Sequence, residues 1–176
     1  FHRVSPGMGR TTCSYFRPDG KRVIFASSHE DPDAKKHQAE EIAQREEDRK
    51  SGKPPRRYSW SFDEHMKIYE ADLDGSNIKC LTPDAKVYTA EGSYSADGKR
   101  IVFHRFAPAG DQGVFVINVN GTGLKRILTP SLAFGCCALD WSPQGNDIVF
   151  SRHVTDDVHS SLWIVHADGS GLHEVK

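Results

Sequence analysis

The chain of 176 residues is long enough for one domain with a real core. Its formal net charge of −1 marks neither a nucleic-acid binder nor a membrane-surface binder. No apolar run approaches the length that spans a bilayer, and four cysteines do not make a disulfide framework in a chain of this size.

The chain begins at Phe1 rather than Met, so a start inside a longer or processed protein is expected. Residues 1–8 open with Phe1-His2-Arg3-Val4-Ser5-Pro6, similar to the later stretch Ile78-Lys79-Cys80-Leu81-Thr82-Pro83. They are expected to be the last strand of a preceding unit. Residues 9–83 form the first complete unit. In it Phe16 leads into the turn Arg17-Pro18-Asp19-Gly20, and the strand after it ends in Val23-Ile24-Phe25. A strand carrying Tyr69 runs into a second turn, Asp74-Gly75-Ser76, and Ile78 opens the last strand. Residues 84–130 repeat the order: Tyr94, the turn Ser95-Ala96-Asp97-Gly98, Ile101-Val102-Phe103, a strand with Phe115, Asn120-Gly121-Thr122, then Leu124. Residues 131–176 repeat it again: Trp141, Ser142-Pro143-Gln144-Gly145, Ile148-Val149-Phe150, a strand with Trp163, Asp168-Gly169-Ser170, then Leu172.

Asp-Gly and Asn-Gly supply the positive φ that tight hairpin turns need, and Pro18 and Pro143 fix φ just before the bend. Short β-branched and aromatic runs between such turns read as strands. Four strands per unit and a period in the forties predict an all-β fold, a β-propeller with four-stranded antiparallel blades. Three blades are in this chain. A blade cannot bury both of its faces alone, so neighbouring blades are expected on either side, from the same protein or from a second copy.

The first unit carries an insertion over residues 29–62. Asp31-Pro32-Asp33 reads as a helix start, and Ala34 to Arg49 holds strong helix formers with Glu41–Arg45 and Glu46–Lys50 at i,i+4 spacing. Its apolar face is thin, and Ser51-Gly52-Lys53-Pro54-Pro55 ends it.

By these residues the chain resembles the TolB-type, or WD40-like PD40, β-propeller family. That family's unit is an aromatic-Ser-Pro-Asp-Gly turn, two apolar strands, a Gly-containing turn and a Leu-Thr exit. The likeness covers nearly the whole chain outside the insertion; Ala96 in place of Pro and Gln144 in place of Asp are departures. It implies a role in protein or peptide binding and a location in the bacterial periplasm or outside the cell. Some members are propeller domains of enzymes, such as metal-dependent polysaccharide lyases or serine peptidases of the prolyl-oligopeptidase type.

Two groups of candidate site residues lie at the insertion. His29, Asp31, Asp63 and His65 bracket it, and two imidazoles with carboxylates suit a divalent Zn²⁺ or Mn²⁺ ion; the plainer reading is a solvated, charged loop base. Ile42 with Arg56, Arg57, Tyr58 and Trp60 form a candidate partner-binding segment on a long loop. No G-x-S-x-G elbow or assignable Ser-His-Asp set is present. No catalytic residue and no resident cofactor is assigned, and neither nucleic acid nor a membrane span is expected.

Overall fold

The computed structural model describes residues 1–52, 62–84, 86–107, 110, 112–129, 137–153 and 160–176. Among the described residues twelve strands form three four-stranded antiparallel sheets. The first holds β1 (Thr11–Phe16), β2 (Arg22–Ser27), β3 (Lys67–Asp72) and β4 (Lys79–Cys80). The second holds β5 (Tyr88–Tyr94), β6 (Arg100–Phe106), β7 (Gly113–Asn118) and β8 (Lys125–Leu128). The third holds β9 (Cys137–Trp141), β10 (Asp147–His153), β11 (Ser160–His166) and β12 (His173–Glu174). In each sheet the strands pair in sequence order, so each is a meander. The first strands pack side by side, β1 on β5 and β5 on β9, so the three sheets fan out from a shared inner edge. This is the arc of a propeller.

The middle blade buries both faces because each strand alternates its side chains. Ile101 and Phe103 of β6 face the first blade, packing with Ile24, Ile68 and Leu81. Val102, between them, faces the third blade and packs with Leu139, Trp141 and Phe150. Gly92 shows how closely the inner strand approaches: a Cβ there would lie 3.1 Å from Ile68 Cδ1 and 3.2 Å from Ile24 Cδ1.

The aromatic that precedes each first turn is the wedge between blades. Tyr94 is 2% exposed and Trp141 6%. Each wedge also bonds backwards: the Tyr94 hydroxyl donates to Glu70 Oε1 at 2.6 Å, and Trp141 Nε1 donates to the Ser93 carbonyl at 3.1 Å. Phe16 holds the same position in the first blade and is 67% exposed, with no blade against it among the described residues.

Residues 1–10 form no strand. An outer strand exists only by pairing with the third strand of its own blade, and the described residues hold no such strand for them. They lie instead against the first blade. Val4 packs on the Phe25, Tyr69 and Ala71 cluster, and a Cβ on Gly75 (φ +85°) would meet the Val4 carbonyl oxygen at 2.9 Å. Gly169 meets the Ile127 carbonyl of β8 at the same 2.9 Å. Val4 thus stands to the first blade as Ile127 stands to the third.

The insertion contains α1 (Ala34–Lys50), one residue longer than the sequence suggests. Ala34 is its one buried residue. Glu41 and Arg45 pair at 2.8 Å, whereas Glu46 and Lys50 make no ion pair among the described residues. Asp33 makes no side-chain capping bond; Asp31 serves the helix entry instead.

Candidate functional site

In a meander the β2–β3 and β4–β5 connections emerge at the same end of the sheet. The insertion leaves from the first of these, so its foot shares one end of the blade with Pro83, Lys86 and Val87. Asp31 organises the foot. It is buried, its Oδ1 accepts the Asp33 N–H at 2.9 Å, and its Oδ2 lies 2.8 Å from His37 Nδ1. His65 Nδ1 is 3.6 Å from Asp31 Oδ1 and 3.9 Å from Asp63 Oδ1. Burial by itself raises the Asp31 pKa, but the Asp33 N–H, then His37 and His65, hold the carboxyl below its ordinary value.

The four residues bracketing the insertion are therefore divided. Asp31, Asp63 and His65 stand together. His29 turns elsewhere: its Nδ1 is 3.1 Å from Ser27 Oγ, and its ring centroid is 4.2 Å from that of Tyr69. Burial pushes the His29 pKa down. Among the described residues no group of three His, Cys, Asp or Glu side chains is close enough to hold a metal ion. In the candidate partner-binding segment Ile42 is 52% exposed on α1, while Arg56, Arg57, Tyr58 and Trp60 lie outside the described residues.

Beside the foot is a cleft of about 360 Å³, lined by Glu30, Glu64, His65, Lys67, Tyr69, Pro83 and Lys86. Lys67 and Tyr69 are buried, and Glu30, Glu64 and Lys86 are exposed at the rim. Lys67 Nζ donates to the carbonyls of Glu64 and Val87, which ties the entry of β3 to the entry of β5. Burial pushes the Lys67 pKa down, against the nearby Cys80, Asp63, Asp84 and Glu64. Burial pushes the Tyr69 hydroxyl far up, with Cys80 and Glu30 adding to it. That hydroxyl is buried without a hydrogen bond of good geometry.

Sequence reasoning missed Lys67, Tyr69 and Lys86 as site residues. The available signal was Lys67 itself: a lysine opening an apolar strand is rarely buried without a specific partner. Tyr69 reads from sequence as a blade-core aromatic, and most of its ring is that.

A second polar cluster lines the inner edge. Tyr15, Ser93 and Asp140 occupy the same repeat position on β1, β5 and β9, and Ser93 Oγ donates to Asp140 Oδ1 at 2.7 Å. Burial, then Asp140, raises the Tyr15 pKa. Two residues earlier, Glu91 Oε2 accepts the Ala138 N–H at 3.2 Å, and burial raises the Glu91 pKa.

No protein-family model matches the chain, and no curated protein matches it by sequence. Its structure is similar to solved propellers. A putative TolB from Agrobacterium tumefaciens superposes with a TM-score of 0.60 at 19% identity, covering 93% of this chain and 49% of that one. A nidogen/laminin complex gives a TM-score of 0.62 at 12% identity, covering 95% and 48%. An oligogalacturonate lyase from Vibrio parahaemolyticus gives 0.54 at 12% identity, covering 93% and 36%. The chain therefore has a TolB-like β-propeller fold and spans about half or less of the length of each of these proteins.

Proposed function

We propose that this chain is a non-catalytic part of a PD40-type β-propeller that binds a protein or peptide on the face bearing the insertion. The observation that carries this is the placement of α1. A 17-residue helix leaves the blade with only Ala34 buried, and it rises beside the charged cleft at the same end of the sheet. Such a helix contributes little to the blade core, and long loops on rigid scaffolds carry binding. The contacts we assign to the partner are Ile42 and the 56–60 segment, with Arg56, Arg57, Tyr58 and Trp60. The remaining blades come from the same protein or from a second copy, and the TolB-type resemblance favours a location outside the bacterial cytoplasm. Deleting residues 34–55 and joining the ends with a Gly-Ser turn tests the role. The fold is expected to survive and the partners captured from native extract to be lost; unchanged capture would reject it.

A second reading rests on the Asp31, Asp63 and His65 group. There the propeller belongs to an enzyme whose catalytic part is outside this chain, a metal-dependent polysaccharide lyase or a serine peptidase, with a divalent ion at Asp31, Asp63 and His65, which His29 would join only by leaving Ser27 Oγ. Saturable broadening of the His65 ring signals by Mn²⁺, abolished in Asp31→Asn, would favour it over the scaffold.

A further inference from the structure

The cleft presents three unmet needs. The first is the Tyr69 hydroxyl, which is fully buried, lines the cleft and makes no hydrogen bond of good geometry. Glu30 and Cys80 lie near it, but a buried hydroxyl without a well-formed hydrogen bond costs free energy, which a group entering the cleft would recover. The second is Lys67. An ammonium has three N–H donors, and the Glu64 and Val87 carbonyls take two. The third is the rim, where Glu30 and Glu64 carry negative charge and Lys86 positive. Among the described residues these three make no ion pair.

A ligand of one sign entering this cleft meets a like charge as well as an opposite one, and like charges close together are costly. A ligand with both signs, a few ångströms apart, meets neither penalty. The volume is at the small end of the range for small-molecule sites.

We propose that the cleft binds a short zwitterionic peptide of dipeptide size. Its carboxylate takes the free N–H of Lys67 and the Tyr69 hydroxyl, with Lys86 at the rim, and its ammonium is held by Glu30 and Glu64. Tyr69 donates as a neutral phenol, since burial with Cys80 and Glu30 keeps it protonated. The site uses no residue of α1, so it stands or falls separately from the partner surface proposed above.

Calorimetric titration of the full chain with glycylglycine, N-acetylglycylglycine and glycylglycinamide tests this. Glycylglycine is expected to saturate one site, and each capped form, lacking one charge, to bind at least about tenfold more weakly. Tyr69→Phe is expected to weaken glycylglycine about tenfold without lowering the melting temperature, because the hydroxyl it removes makes no hydrogen bond of good geometry in the empty cleft. Lys86→Gln, on the exposed rim, is expected to weaken glycylglycine more than glycylglycinamide. Failure of glycylglycine to saturate, equal binding of the capped forms, or full affinity in Tyr69→Phe would each overturn the proposal.

Discussion

Burial sets the charge state of several side chains, and the signs differ. His29 and His104 are both pushed below 6.5 by burial. As pH falls through 6.5 the unfolded chain therefore takes up protons before the folded one does, so stability is lost from about pH 6.5 downward through the lower folded pKa values. Asp31 acts with the same sign further down. Its folded carboxyl sits below 3.8, so its contribution is present above that value and is lost as pH falls through the folded pKa. Glu91 acts oppositely: burial raises it above 4.5, so the folded state gains relative stability as that carboxyl protonates. Urea midpoints at pH 7.5 and 6.0 isolate the histidines. The midpoint is expected to fall at pH 6.0, and His104→Gln to flatten the difference; an unchanged difference would assign the effect elsewhere. None of this was legible in the sequence, where His104 looks like one of several scattered histidines. Its burial comes from the pairing of β6 between β5 and β7.

Between elements, the first and second blades are joined by a charged lock that, among the described residues, the joint between the second and third blades lacks. Glu70 is buried on β3, with Arg22 Nε at 2.9 Å, Arg17 Nη1 at 3.7 Å and the Tyr94 hydroxyl at 2.6 Å. Val116, at the matching place on β7, packs with Trp141 instead. Here Arg100 takes over, lying 4.8 Å over the Trp141 ring. Tyr94→Phe removes one of the donors that hold a buried carboxylate and is expected to cost about 1–3 kcal/mol. Equilibrium unfolding in urea measures this, and a change below about 0.5 kcal/mol would show that the arginines alone satisfy Glu70.

The turns, wedges and strand order were readable because each has a residue type that its geometry demands. The bulges were not. Each inner strand carries one, with positive φ at Cys13 (51°), Glu91 (59°) and Ala138 (55°). These three share a repeat position but no chemistry, so no pattern announces them. The cleft was hidden for a related reason: it combines the insertion foot with Pro83 and Lys86, which meet only once the sheet has formed.

At the scale of the molecule, the chain is an open arc. Two joints are sealed by Tyr94 and Trp141, and the third wedge, Phe16, points to where a further blade belongs. Fully burying an aromatic ring of this size is worth about 2–3 kcal/mol, and Tyr15 beside it is also exposed, at 39%. The repeat thus asks for a neighbour on that face, whether from the same protein or another copy. Hydroxyl-radical footprinting of the protein in its native assembly reads this directly, with Phe62 (42% exposed) as the open reference and Trp141 as the closed one. Phe16 is expected to be protected to the level of a buried wedge. Oxidation of Phe16 at the rate of Phe62 would contradict it.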